Sequence, residues 1–384
     1  MEVGEDPHFF FCRDMGLQSI TLRKLGTESQ VVLLKAENNQ EHPDIIRATI
    51  KEMESAAWWQ QFKLDAVVLG SWARKEYTSI ARAISESGAK LVVRCDTGGS
   101  VTERYDAFPD ALKMNYYYLE SRIQNVAMRG AAALAQTLLH AIPTYRDKKL
   151  YEHLSYADCV AIETHDGAKN LRKLMFHYGC TNNTVQYIPH LVSDEMQYDA
   201  AIKKEKQIVS VGRWGSYQKN APFLIRCLVR VMEEHADYEA HLFGTGTELL
   251  DRLLVGVPRS ISKRIYLRGV VQQEELLKQF QSAQIYFMPS RYEGSSIAGE
   301  EALCCGLSVV GSYHVGCIRN FVSKNSGTLA RKYSVDALAL ALKDEIISWK
   351  MGLRNAVQIS KDWKEECSAS AVSNKIMEKI GFQK

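Results

Sequence analysis

AQIYFMPSRYEGSSIAGEEALCCGLSVVGS, residues 283–312, holds a strand–helix–strand unit in one stretch. AQIYFMP (283–289) and LSVVGS (307–312) are short apolar runs of the length of buried strands. Between them, a small-residue loop at Gly294-Ser295-Ser296 opens into a helical segment that runs to Gly306. Two strands joined through a helix predict parallel pairing, with the helix packed on a face of the sheet.

The same grammar extends in both directions. QIVSVG (207–212), EAHLFG (239–244) and RIYLRG (264–269) read as strands, each followed by a helical segment. Upstream, HFFF (8–11), QVVLL (30–34), DAVVLG (65–70), KLVVRC (90–95), DCVAIE (158–163) and TVQYIP (184–189) read the same way. Helical periodicity falls at LQSITLRKL (17–25), in the Pro43-led segment to Trp59, and at ARKEYTSIARAISES (73–87). A charged, weakly apolar stretch, DEMQYDAAIKKEK (194–206), separates the two series. The sequence therefore predicts an α/β protein with two doubly wound parallel-sheet domains, residues 1–195 and 196–363. A C-terminal helix over 364–384 is expected to pack back on the first domain. A chain of 384 residues suits two domains.

Composition removes several classes. Hydrophobic residues are 46% and charged residues 24% of the chain, ordinary values for a globular protein. The formal net charge of +3 does not suggest a duplex binder, so no nucleic-acid partner is expected. No apolar run reaches the length of a membrane-spanning helix. The start, MEVGEDPHFFFCRDMG, opens on acids and does not read as a leader. Nine cysteines without a C-x-x-C pair fit neither a metal site nor a disulfide framework, and suit a cytoplasmic protein. From Asp110 to His140 the chain reads as one long helix, followed by a basic cluster at Arg146, Lys148 and Lys149. This segment is either a packing helix with a solvated end or an aromatic–basic surface for peripheral membrane contact through 110–150.

Open parallel sheets bind ligands at the carboxyl ends of their strands, so the loops there are the candidates. In the opening stretch, Gly294, Ser295 and Ser296 offer backbone N–H groups at a helix start, a setting for phosphate. Glu293 and Glu301 stand with seven residues between them, and either Glu300 or Glu301 could accept hydrogen bonds from vicinal hydroxyls. In VGRWGSYQKN (211–220), Arg213 and Lys219 flank a polar turn after Gly212 and form a pair of cations suited to a diphosphate. FGTGTEL (243–249) begins a G-x-G but has Leu249 where a dinucleotide fingerprint needs its third glycine. No P-loop motif occurs, and no Asp-x-Asp pair is present to hold a metal.

Taken in order, VGR…K, LFGTGTEL, LRGVV and the Glu293-Gly294…Glu301-Ala302…Gly306 pattern resemble the C-terminal domain of retaining glycosyltransferases of family 4 (glycosyl transferases group 1). The resemblance runs from about Ile208 to Leu329 and implies the GT-B fold, two Rossmann-like domains facing across a cleft. It selects Glu301 over Glu300, through Ala302 and Gly306, for the ribose hydroxyls. It implies that Arg213 and Lys219 hold the donor diphosphate and that Glu293 contacts the donor sugar. It places the backbone of Gly294, Ser295, Ser296 and Ile297 over sugar and phosphate, with Gly212, Gly244 and Val270 lining the nucleotide. Ser295-Ser296 stand where the family has Phe-Gly.

In the N-terminal half the likeness is weaker. Gly16, in Asp14-Met15-Gly16, takes the place of a glycine loop, and Asp96 that of a histidine facing the reaction centre. His165, after Thr164 at a strand end, is a weaker cleft candidate, and His190, in Tyr187-Ile188-Pro189-His190, reads as a domain-boundary residue rather than a catalyst. The implied activity is metal-independent transfer of a hexose from a nucleotide-diphosphate sugar, a co-substrate rather than a cofactor. The acceptor would be a saccharide or lipid-linked hydroxyl, in the cytoplasm or at the inner face of a membrane. A non-catalytic sugar-nucleotide binder and a sugar phosphorylase or epimerase are the alternatives.

Overall fold

In a computed structural model of the chain, the described residues are 2–4, 31–34, 45–70, 77–95, 112–113, 115–116, 119, 123–141, 148, 151–179 and 184–382. They form two separate α/β units: 1–191 together with 369–384, and 192–368.

The first unit is built on seven parallel strands, β1 (Glu2–Gly4), β2 (Val31–Leu34), β3 (Ile45–Ala48), β4 (Ala66–Gly70), β5 (Lys90–Cys95), β6 (Cys159–Ile162) and β7 (Val185–Tyr187). They lie in the order β3-β2-β1-β4-β5-β6-β7. Along these strands, alternate residues feed opposite faces. Val67, Leu69, Leu91, Val93, Val160 and Ile162 meet α3 (Tyr77–Glu86) and α5 (His165–His177) through Ile80, Ile84, Leu171 and Leu174. Their neighbours Val68, Val92, Cys159 and Ala161 pack against Ala369, Val372 and Ile376.

Two local readings change. The Pro43-led segment does not begin as helix: Ile45–Ala48 is an edge strand, β3, paired with β2. The helix starts only at Thr49, whose hydroxyl accepts from Glu52 N while the Glu52 carboxylate accepts from Thr49 N, a capping box opening α1 (Ile50–Met53) ahead of α2 (Ala56–Gln60). The long helix expected over 110–140 is interrupted, because residues 123–125 are not helical and Asn125 Oδ1 accepts from Met128 N at 3.0 Å. That cap starts α4 (Val126–Ala141). HFFF (8–11) and LQSITLRKL (17–25) lie outside the described residues, and the first described strand is Glu2–Gly4. Among the described residues, no helix is long and apolar enough to cross a membrane.

The second unit carries β8 (Glu205–Val211), α6 (Ala221–Glu234), β9 (Glu239–Phe243), α7 (Thr247–Leu254), α8 (Arg259–Ser262), β10 (Ile265–Gly269), α9 (Gln273–Ser282) and β11 (Ala283–Met288). It continues through α10 (Ile297–Cys304), β12 (Ser308–Ser312), α11 (Gly316–Phe321), β13 (Gly327–Ala330), α12 (Val335–Lys350) and α13 (Ala356–Cys367). All six strands are parallel, in the order β10-β9-β8-β11-β12-β13. Ile208, Leu242, Ile285, Phe287 and Val310 pack on α6 and α12, while Val209, Tyr286, Met288 and Val309 pack on α10 and α13. The strand order reverses between β8 and β11, and such a switch point opens a crevice at the strands' carboxyl ends. The chain then returns to the first unit through α14 (Ala369–Lys379), from Ala369 rather than from 364.

Candidate functional site

β8 and β11 are parallel neighbours, so the loops after them leave the sheet at the same edge. Two anchors fix the first loop. Trp214 is buried, its indole N–H donating to Phe243 O at 3.0 Å and its backbone N–H to Thr245 O at 2.8 Å. Gly244 has φ +112°, and a Cβ there would stand 2.0 Å from Gly212 O, so only glycine lets the ends of β8 and β9 approach this closely. Gly212 N–H donates to Phe243 O and Gly244 N–H to Gly269 O. These two glycines therefore supply space, and not N–H groups, to the crevice.

The two loops are tied together by an ion pair. Lys219 Nζ donates to Glu293 Oε1 at 2.6 Å, and Gln218 Nε2 donates to Glu293 Oε2 at 2.8 Å. The Glu293 side chain is 4% exposed and that of Lys219 16%. Arg291 N–H donates to Gln218 O, and its guanidinium donates to Asn220 Oδ1 at 3.0 Å and lies 4.0 Å over the Tyr217 ring. Arg213 is exposed at the start of the same loop, and its guanidinium has no partner among the described residues.

α10 starts beside this pair. Ser296 is its N-cap, with Oγ accepting from Gly299 N at 3.3 Å. The backbone N–H groups of Ser295, Ser296 and Ile297 have no acceptor among the described residues, as the first turn of a helix dictates. Such donors, reinforced by the helix dipole, favour an anion. Both acids of the helix are buried, Glu300 at 1% and Glu301 at 4% exposure, and Ser295 Oγ donates to Glu300 Oε1 at 3.2 Å. Beneath them lies buried Tyr286; burial, and then the charge of Glu293, push its phenol above the usual range, while the nearby Ser296 side chain opposes the shift. Burial, with Glu293 and Glu300, does the same to the Cys317 thiol, while Lys219 opposes it.

At the far side, Gly269 (φ +68°) turns the chain after β10 and leaves Val270 74% exposed. Arg268 Nε donates to Nδ1 of buried His241 at 3.2 Å. Burial, and then the Arg268 charge, hold His241 below its ordinary pKa.

Of the sequence candidates, the structure joins Lys219 to Glu293, with Gly294, Ser295, Ser296 and Ile297 leading from Glu293 into α10; Arg213 stands in the Lys219 loop and Glu301 inside α10. Gly16 and Asp96 lie outside the described residues. His165 opens α5 with its ring 3.8 Å from that of Tyr187. His190 is buried with Nδ1 3.0 Å from Leu191 O and Nε2 3.9 Å from Glu163. Sequence reading missed Gln218 and Tyr286. Gln218 carried no signal beyond standing next to Lys219, and Tyr286 lay hidden in a strand's apolar run. Among the described residues, no group of three or more His, Cys, Asp or Glu side chains is arranged to hold a metal ion.

Residues 205–346 match the family model described as glycosyl transferases group 1. A stretch of 147 residues is 27% identical to an uncharacterized glycosyltransferase of Methanocaldococcus jannaschii, covering 38% of this chain and 37% of that protein. Among solved structures, Anabaena HepE in complex with UDP and glucose aligns with a TM-score of 0.65, at 12% identity, over 100% of this chain and 99% of that one. WaaG, a glycosyltransferase involved in lipopolysaccharide biosynthesis, aligns with a TM-score of 0.62 at 12% identity over 100% of both chains. Staphylococcus aureus TarM aligns with a TM-score of 0.57 at 11% identity, over 85% of this chain and 58% of that one. By fold the chain is a GT-B protein, and by sequence its second unit is similar to the glycosyl transferases of group 1.

Proposed function

We propose that the chain is a retaining glycosyltransferase that moves a hexose from a nucleotide-diphosphate sugar to an acceptor hydroxyl, without a metal. One observation carries the reading: Lys219, Glu293 and the start of α10 converge at the switch point between β8 and β11. An anion held there meets the Lys219 ammonium, the exposed Arg213 guanidinium and the N–H groups of Ser295, Ser296 and Ile297. These charges stabilise a departing diphosphate without reorganising when the bond breaks. The lone pairs of Glu293 left over by Lys219 and Gln218 can accept from sugar hydroxyls. Glu301, buried one turn into α10, takes the ribose hydroxyls. The departing phosphate itself helps remove the acceptor proton, which gives attack on the same face and retention.

The base is chosen by a thermal-shift screen against UDP-, GDP- and ADP-sugars, where a ligand at about 100 times its Kd adds roughly 2.7 kcal/mol. With the donor in hand, product anomers by NMR test retention, and turnover after exhaustive chelation tests metal independence. Failure of every donor to stabilise the chain removes the reading. The acceptor is proposed to be a saccharide or lipid-linked hydroxyl in the cytoplasm. The exposed Val126, Met128, Leu134, Leu138 and Leu139 of α4 motivate peripheral contact with a membrane. Sedimentation with anionic vesicles, compared with a Leu138→Asp, Leu139→Asp variant, tests that contact.

A further inference from the structure

Glu293 holds the cation that the diphosphate needs. Its carboxylate is buried, with one oxygen on Lys219 at 2.6 Å and the other on Gln218 at 2.8 Å. A diphosphate that takes another proton of the Lys219 ammonium sets a second anion beside that carboxylate and weakens its hold on the cation. Two consequences follow from charge. A buried carboxylate that loses its cation is costly unless another donor replaces it. A bare diphosphate ends in a phosphate carrying about −1.5 to −2 charge at neutral pH, which repels a carboxylate at this distance. A sugar on the second phosphate removes one ionisation there and brings hydroxyl donors to the Glu293 oxygens.

We propose, building on the reading of these loops as a nucleotide-sugar site, that Glu293 competes with bare nucleoside diphosphate for Lys219. The pair thereby discriminates a sugar-loaded nucleotide from the empty one. In the free protein the pair is closed. The sugar nucleotide exchanges the Lys219 contact for hydroxyl contacts and suffers little. The diphosphate left after transfer has nothing to offer Glu293, so the carboxylate recovers Lys219 and promotes release. Gln218 is a positioning residue here: it keeps the second oxygen fixed, so that the first faces Lys219.

The test is calorimetric titration of the full chain with UDP, GDP and ADP, each beside its glucose-linked form. Glu293→Gln is nearly isosteric and removes the charge. It is expected to tighten the bound diphosphate about tenfold, the scale of one hydrogen bond to a charged group, while weakening the sugar-linked form. Lys219→Met in the same background must abolish the tightening, because the competition acts through that ammonium. Glu293→Asp, which withdraws the carboxylate by one methylene, should tighten the diphosphate less than Gln, and serves if Gln does not fold. Unchanged or weaker diphosphate affinity in both Glu293 variants overturns the competition, as does tightening that survives Lys219→Met. If the wild type binds none of the six nucleotides, the nucleotide-sugar reading itself fails and this inference falls with it.

Discussion

The second unit contains two buried acid–base pairs that differ in what surrounds them. Arg354 meets Glu345 through two nitrogens, at 2.5 and 2.7 Å, with side chains 7% and 0% exposed. Its remaining N–H groups donate to Lys324 O at 2.8 Å and Gly327 O at 3.1 Å, and Thr328 Oγ1 donates to Glu345 at 2.6 Å. This pair is a closed knot joining α12 to β13 and the chain leading into α13. Lys219 and Glu293 meet at one point, on two loops at the carboxyl ends of β8 and β11, and the ammonium keeps protons for another partner. Saturation makes the first pair structural. The spare valence of the second makes it exchangeable.

Breaking the knot is expected to give the largest effect. Arg354→Met leaves Glu345 charged and fully buried, a loss of about 3–5 kcal/mol. Urea unfolding should show that loss, while nucleotide affinity at a temperature well below the midpoint stays as in the wild type. A fall in nucleotide affinity would dissolve the distinction between the two pairs. Next in size is Lys219→Ala, expected to lower turnover about a hundredfold or more, the scale of removing one preorganised electrostatic donor. Arg213→Ala should do the same with less loss of stability, since its guanidinium is exposed. Wild-type turnover in both variants would break the diphosphate assignment.

How much of this was readable depends on sequence distance. Glu293, Glu301 and the start of α10 lie inside one strand–loop–helix stretch, so their relation follows from helix and strand geometry alone. The βαβ alternation gave the parallel sheets for a similar reason, since each buried strand is a local apolar run. β3 escaped because its four residues, IIRA, run straight into a capped helix, and the Pro43-Asp44 before them reads equally well as a helix start. β13 escaped because GTLA is short and only partly apolar. The Gln218–Glu293 contact spans 75 residues and exists only because β8 and β11 are neighbours at the switch point. Tyr286 was invisible for a different reason: one hydroxyl in a buried strand does not alter its pattern.

A third cation sharpens the comparison from the side of pH. Lys204 donates to Phe280 O and Cys305 O, both at 2.8 Å, near the ends of α9 and α10. It has no carboxylate partner among those bonds, and burial pushes its ammonium from 10.5 down to about 7. Between those values the unfolded chain binds more protons than the folded one, so this group's contribution to stability rises with pH. It is fully present above about 10.5 and is lost as pH falls to about 7. Within the window the slope is at most about 1.4 kcal/mol per pH unit. Unfolding measured from pH 6.5 to 9.5 should show the wild type gaining on Lys204→Met as pH rises. Parallel curves would mean that the carbonyls hold the ammonium charged.

The smallest contrast uses one chemistry in two places. Ser296 caps α10 by accepting from Gly299 N, and Ser334 caps α12 by accepting from Ala337 N at 3.2 Å. Losing either cap to alanine costs about 0.5–2 kcal/mol, because one orphan donor of the first turn loses its acceptor. At Ser334 nothing else depends on the hydroxyl, so Ser334→Ala should lower stability near the bottom of that range and leave nucleotide affinity unchanged. At Ser296 the side chain also lies near buried Tyr286, whose phenol it favours in the charged form against the effect of burial. Ser296→Ala therefore removes a polar neighbour of that phenol and loosens the N–H groups proposed to hold phosphate. Its stability loss should exceed that of Ser334→Ala, and its nucleotide affinity should fall. The variant pair Ser296→Ala, Tyr286→Phe removes both partners together and should recover part of the stability but not the affinity. Recovery of both would place the role of Ser296 in packing alone.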